Sequence, residues 1–364
     1  MAEALLYRHI IITDARASHL SLLQHSLSTN RRPNGAPVAT LTRKITVTAL
    51  PPRDLDLDAA YHSALRGVIL LCPNLESFCI YGRPRDTYGF PETTGDILKT
   101  LPDHLRMCAW ADLGETVQLS IFRDSCSFFG MLEHLQLRRM WGYMNEQVIL
   151  TLPRLRSLSF ASWITNYPIA QWDLPSLVWL EISVESAVWL EELDSFFLEH
   201  GKKLEFLQLV PGDLPPALNH DNFHRLYSIE ISLNFFRYFP LLSCFSVDPS
   251  WMRRGVIEGS GDKPVLIHKN LTTLHILRPD PRHGPHSSCD EFVRSFFVAH
   301  QNLFPRLRDV SIILRGEYTV VPMSYLWFGS GVRPVRAELA NPGDGISFDL
   351  VDHAYFYSFF SSLL

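Results

Sequence analysis

The sequence predicts an α/β solenoid in which parallel strands alternate with helical or loop returns, and three observations carry that expectation. An apolar residue is followed three and five positions later by two more, and the triplet recurs along most of the chain. The residue between the last two apolar positions is usually polar. A Ser-Phe-Phe segment at 195–197 returns at 295–297, each time with a Glu four residues upstream and a strand-like stretch downstream.

The triplets are Leu75-Phe78-Ile80, Leu105-Cys108-Trp110, Leu132-Leu135-Leu137, Leu155-Leu158-Phe160 and Leu177-Leu180-Ile182. They continue with Leu204-Leu207-Leu209, Leu226-Ile229-Ile231, Leu271-Leu274-Ile276 and Leu307-Val310-Ile312. A period mostly in the twenties that carries L-x-x-L-x-L is the signature of leucine-rich repeats, so an irregular leucine-rich-repeat solenoid is expected. The intervening residues are Cys79, Ala109, Gln136, Ser159, Glu181, Gln208, Glu230, His275 and Ser311, seven of the nine polar. Apolar-polar-apolar alternation belongs to a strand buried on one face only. One such strand cannot bury its own leucines; stacked neighbours can, each side chain contributing roughly 1.5–3 kcal/mol.

Helical returns are expected between strands. Residues 186–200 place Trp189, Leu193, Phe196 and Phe197 on one face, with Gly201 as the residue that stops the helix. Residues 289–300 repeat the plan with Phe292, Phe296 and Phe297. The paired phenylalanines therefore read as core. The Asn or Cys of regular repeats falls only at Asn234, so irregular turns replace a continuous asparagine ladder. The expected organisation is a helical N-terminal cap over 1–60, the solenoid over 61–315 and a C-terminal cap over 316–364. Excursions are expected near 235–268 and 278–290, where Gly-Ser-Gly-Asp and DPRHGPHSSC break the pattern.

Composition narrows the function. The 46% hydrophobic content supports a large core, and a net charge of −5 with a pI near 6.3 supplies no basic field for nucleic acid. Six cysteines without C-x-x-C spacing suit a reducing compartment, so a cytoplasmic or nuclear, intracellular location is expected. The N-terminus lacks the basic region and cleavage site of a secretory signal, and no apolar run is long enough for a membrane span.

Leu5-Leu6-Tyr7-Arg8-His9-Ile10, the leucine-rich segment His19–Leu27, and the phrases Cys72-Pro-Asn-Leu75 and Leu101-Pro-Asp-His-Leu105 carry a resemblance. The chain resembles fungal F-box proteins with irregular leucine-rich repeats, over most of its length. In that family the LLYRHI-like segment follows an F-box, and no Leu-Pro-x-Glu-type box precedes it in this sequence. The resemblance implies a substrate receptor for a cullin-type ubiquitin ligase. It also implies docking through a Skp-type adaptor only if an F-box is restored.

Candidate chemistry is sparse. Phosphate loop, nucleophile-elbow and H-E-x-x-H patterns are missing from the sequence. His283, His286 and Cys289 have zinc-compatible spacing, with His275, Asp290 or His300 as a fourth ligand, but solvated loop residues are the simpler reading and no metal is assigned. Asp54, Asp56 and Asp58 alternate with leucines and fail the EF-hand pattern. No catalytic residue and no cofactor are assigned.

The expected function is non-catalytic protein recognition through the concave face of the sheet. The residues assigned to it are Trp179, Glu181, Glu205, Phe206, Tyr227 and Glu230: rings offering contact area with few rotors, and carboxylates favouring a basic partner segment. The rival readings are a hydrolase or metal-dependent enzyme built on residues 240–290, or a nonfunctional repeat fragment.

Overall fold

A strand of four to six residues has no core of its own, and the computed structural model shows how successive strands supply one. It describes residues 7–13, 16–48, 55–81, 91–111, 123–124, 126–137, 149–161, 169–184, 193–211, 233–247, 267–278, 303–314 and 347–352. By internal contacts the chain divides into two units, Met1–Leu177 and Val178–Leu364.

The first unit holds β1 (His9–Ile12), β2 (Lys44–Val47), β3 (Ser77–Tyr81), β4 (Met107–Ala111), β5 (His134–Leu137) and β6 (Ser157–Ala161). Each pairs in parallel with the strand before it. The second holds β7 (Trp179–Val184), β8 (Phe206–Pro211), β9 (Cys244–Val247), β10 (Thr273–Arg278), β11 (Asp309–Leu314) and β12 (Ser347–Asp352), also parallel and in chain order. Parallel neighbours need a crossover between them, and chain order in space makes every crossover local, as in a stack of coils. The chain is an α/β solenoid of leucine-rich-repeat type.

Register turns the sequence triplets into layers. Phe78, Cys108, Leu135 and Leu158 are successive partners, as are Ile80, Trp110, Leu137 and Phe160. In the second unit Leu180 meets Leu207, Leu207 meets Phe245, and the row continues through Leu274, Val310 and Phe348. The leading leucines 75, 105, 132, 155, 177, 204 and 271 are all fully buried beneath these rows.

Two local devices build each coil. The first is an entry turn, in which the N–H of the leading leucine donates to the carbonyl three residues back. Leu75 donates to Cys72, Leu155 to Leu152, Leu177 to Leu174, Leu242 to Phe239 and Leu307 to Phe304, at 3.0–3.3 Å. Pro73, Pro153, Pro175, Pro240 and Pro305 occupy the second position of these turns, where a fixed φ suits the bend. The second device is a shared carbonyl at the strand entry. The oxygen of Arg43 accepts from Glu76 and Ser77, that of Glu76 from Arg106 and Met107, and that of Glu205 from Ser243 and Cys244. These bonds satisfy the backbone without an asparagine ladder.

Helices α1 (Ala17–Thr29), α2 (Leu55–Leu70) and α3 (Pro91–Thr100) return the chain in the first unit, and α4 (Asp194–His200) does so in the second. α1 packs on α2, and α2 on α3. Tyr61, Leu65, Val68 and Ile69 recur at helical spacing on the buried face of α2. Around α4, Leu193, Phe196 and Phe197 are buried, as the sequence predicts, and Phe197 stacks edge-on against Phe239 at 5.1 Å.

Several expectations change. Residues 1–60, expected as a helical cap, contribute β1 and β2 beside α1. Their triplets escape notice because Tyr7 and Thr42 stand where a leucine leads; Thr42 is fully buried and its hydroxyl donates to Tyr7 O at 3.0 Å. The excursion near 235–268 contains β9, which continues the pattern as Leu242-Phe245-Val247. β12 lies in the expected C-terminal cap, where Gly345 occupies the leading position. The triplet at Leu226 is outside the described residues, and β8 pairs directly with β9. Gly201 does not stop its helix in a left-handed conformation; at φ −60° and ψ −32° it leads into a 3-10 turn.

Candidate recognition face

In strands whose odd positions fill the core, the even positions face the other side of the sheet. In the second unit this outer row reads Glu181, Gln208, Ser246 and His275, each the register partner of the next. Two residues earlier runs a parallel row in which Trp179 is opposite Phe206, and Phe206 opposite Cys244. A ring pair therefore lies alongside a pair of hydrogen-bond acceptors.

The assigned residues fare differently. Trp179 and Phe206 are direct partners, as expected of consecutive coils, but Trp179 is only 6% exposed while Phe206 is half-buried. Glu181, expected to be open, is also only 6% exposed. Both are corrections to the exposed placement. Alternation fixes the side of the sheet a residue takes, and the neighbours crowding that side fix its exposure. Glu205 is exposed and sits just before β8, at the strand entry rather than in the outer row. Tyr227 and Glu230 are outside the described residues, as are Asp54, His283, His286, Cys289, Asp290 and His300. Asp56 and Asp58 fall on α2.

The residues passed over are Gln208, Ser246 and Cys244. Gln208 carried a signal, a polar residue at the middle of a triplet, and its amide oxygen is buried without a hydrogen bond among the described residues. Ser246 Oγ lies 3.2 Å from His275 Nδ1, and Cys244 Sγ lies 3.6 Å from the same nitrogen.

The first unit has a different surface. Its strand-entry positions read Arg43, Glu76, Arg106, Glu133 and Arg156, alternating in charge from coil to coil. Arg43 pairs with Glu76 at 3.1 Å. Arg106 grips Glu133 through both carboxylate oxygens at 2.7 and 2.8 Å. These glutamates are therefore neutralised along the edge, unlike the exposed Glu205.

No family model matches the chain, and no curated protein matches it. Among solved structures it is similar to a chain described as "Crystal structure of Rad7 and Elc1 complex in yeast". Identity is 13%, 79% of this chain and 75% of that one are covered, and the TM-score is 0.34.

The one thiol–imidazole contact described on the outer face of the second unit is not arranged for nucleophilic chemistry. Burial pushes the Cys244 thiol up to about 12, against a smaller opposing effect of Ser246, and burial lowers the His275 imidazole to about 4. The proton stays on sulfur and the ring stays neutral at pH 7, whereas an activated cysteine needs a thiolate. Among the described residues, no three His, Cys, Asp or Glu side chains converge to hold a metal ion, and no helix is long and apolar enough to cross a membrane. What the outer face offers is shape and hydrogen-bonding capacity on strands that hold each other rigidly in register.

Proposed function

We propose that this chain is a non-catalytic protein-recognition module that binds its partner on the outer face of the β7–β8 sheet. In this reading it is the substrate-binding portion of an F-box-type ubiquitin-ligase receptor, the class its sequence resembles. The observation that supports the reading best is the in-register pair Trp179–Phe206, with the exposed carboxylate of Glu205 beside it. A half-buried ring on a rigid strand supplies contact area at little entropic cost, and the neighbouring carboxylate favours a basic partner segment.

A photo-crosslinking residue placed at Phe206, with a second at Leu198 as control, tests this reading. Leu198 lies on α4 and is 61% exposed, so it reports surface encounters away from the sheet. A discrete crosslinked product from position 206 and none from 198 is the expected result. Equal products from both positions, or none from 206, would refute it. Recovery of a Skp-type adaptor with the protein from its native cell would support the ligase assignment separately.

A further inference from the structure

The strand-entry edge of the second unit stays charged, whereas that of the first is largely neutralised. In the first unit Arg43 and Arg106 hold Glu76 and Glu133. In the second, Lys202, Lys269, Arg306 and Arg308 are exposed, and none forms an ion pair among the described residues. Lys202 and Lys269 occupy the second position of the entry turns of β8 and β10, and Arg306 the third position of that of β11. Arg308 stands at the strand entry itself. Among the described side chains of this edge the carboxylate is Glu205, and it borders the outer face of β8. A protein of net charge −5 thus gathers unpaired cations on one margin.

The frame beneath these side chains is fixed. Glu205 O accepts from Ser243 and Cys244, Ser243 O from Thr272 and Thr273, and Thr272 O from Arg308. Side chains stitch it further: Ser243 Oγ donates to Glu205 O, Thr272 Oγ1 to Ser243 O and Asn270 Nδ2 to Pro240 O, at 2.8–3.1 Å. Neighbouring strands lie about 4.8 Å apart, so the coils of β8 to β11 spread the cations over roughly 14 Å. Between Lys202 and Lys269 the coil of β9 offers Leu241, 50% exposed in the third position of its turn. Cations flanking an exposed aliphatic group complement a segment whose carboxylates flank an apolar side chain. The guanidinium groups favour carboxylates through paired N–H donors. Single-stranded nucleic acid fits less well, because its binders interleave cations with stacking rings, and the interleaved group here is a leucine. We propose that Lys202, Leu241, Lys269, Arg306 and Arg308 dock an acidic segment of a partner protein along the strand-entry edge of β8–β11. This surface is separate from the outer face and goes beyond the recognition reading above.

The test uses the full chain and calorimetry with acetyl-Glu-Asp-Leu-Asp-Glu-amide, against its neutral counterpart acetyl-Gln-Asn-Leu-Asn-Gln-amide. At about 50 mM salt the acidic peptide should bind saturably and at least about tenfold more tightly than the neutral one. At about 500 mM salt its binding should weaken about fivefold or more. Lys269→Gln, Arg306→Gln and Leu241→Ser should each weaken it about threefold. Lys99→Gln, which removes an equal charge from α3 in the first unit, should leave it unchanged. All of these side chains are exposed, so each variant should keep the parent's thermal midpoint, and loss of docking is read apart from loss of fold. No saturable response, equal response to both peptides, or equal weakening by Lys99→Gln would overturn the edge. A short oligouridylate of equal charge that binds more tightly than the acidic peptide would overturn the choice of a protein segment. A crosslink from position 206 without peptide binding removes this inference and leaves the outer face intact. Peptide binding without that crosslink removes the outer face instead.

Discussion

His268 Nδ1 accepts the backbone N–H of Leu271 at 3.1 Å, so a side chain closes the turn that a main-chain carbonyl closes in neighbouring coils. Its other nitrogen, Nε2, lies 2.7 Å from Phe239 O and donates to it, which fixes the neutral tautomer. Phe239 O already accepts from Leu242, so one imidazole ties the entry turns of β9 and β10 together. His268→Ala should cost about 2–4 kcal/mol, from two lost hydrogen bonds and a cavity. His268→Leu should cost about 1 kcal/mol or less, because leucine or phenylalanine fills this position in other coils and the turn can revert to its own carbonyl. Urea denaturation of both variants decides it; equal losses would mean that the apolar filling, rather than the bracket, sets stability.

Acid should unfold the protein through its histidines. Burial lowers His9 to about 4, with a smaller contribution from Lys44, and burial lowers His275 to about 4. His268 and His134 are lowered as well, burial again being the largest cause. An unfolded imidazole titrates near 6.5, so below that value the unfolded chain binds more protons than the folded one. The stabilising contribution is complete above pH 6.5 and is lost as pH falls toward 4. Urea midpoints measured from pH 8 to 4 should be flat down to about 6.5 and then decline. His275→Asn, which cannot take up a proton in this range, should shallow the decline.

The charged edge of the first unit contributes specificity of register more than stability. Arg106 is about half-exposed even though it holds Glu133 bidentately. Solvent screening and side-chain entropy reduce such pairs to under about 1 kcal/mol. Arg106→Ala should therefore lower stability by that amount at low salt and by less at 0.5 M salt. A loss of several kcal/mol, unchanged by salt, would mean the pair is buried and cooperative.

How far the sequence discloses this fold follows from the chemistry of particular residues. The rows through Leu135–Leu158 and Leu180–Leu207 are legible because identical spacing puts leucines in identical places. β2 is hidden because Thr42 leads it, and β12 because Gly345 does; a buried hydroxyl that finds a carbonyl can replace a methyl group without leaving an apolar trace. β9 follows the rule yet is obscured by the Gly-rich stretch after it. At the candidate face, alternation assigns Trp179 and Glu181 to the outer side, but the number of neighbours on that side is a tertiary property. Gln208 was readable as outward and polar. That its oxygen receives no hydrogen bond among the described residues is a tertiary property.

Core and outer face should separate under mutation, with one exception. Leu180 is fully buried in the central row, so Leu180→Asp places an unpaired charge in the core and should unfold the protein, costing more than about 4 kcal/mol. Phe206→Ala, at a half-buried site, should cost about 1–2 kcal/mol and abolish crosslinking of a partner from position 205. Trp179→Ala should cost about 2–4 kcal/mol, because a ring 6% exposed leaves a cavity when removed. Thermal unfolding ranks the three; a neutral Trp179→Ala would place that ring in solvent.

A close approach, and not an unusual backbone, should make Gly201 irreplaceable. Its dihedrals are helical and open to any residue, yet a Cβ there would meet the backbone oxygen of Tyr238 at 2.6 Å and the ring of Phe239 at 3.2 Å. Tyr238 O is main chain in the segment that feeds β9, so it cannot swing aside as a side chain would. Gly67 offers the contrast: its Cβ would meet only the side-chain end of Gln24 on α1, which can rotate away. Gly130 would meet nothing within 4 Å. Gly201→Ala should therefore cost about 1–3 kcal/mol through overpacking, while Gly130→Ala should stay within about 0.5 kcal/mol of the parent and Gly67→Ala close to it. Urea midpoints for the three alanine variants check the order, and a neutral Gly201→Ala would show that the coils bearing α4 and β9 pack less closely than 2.6 Å implies.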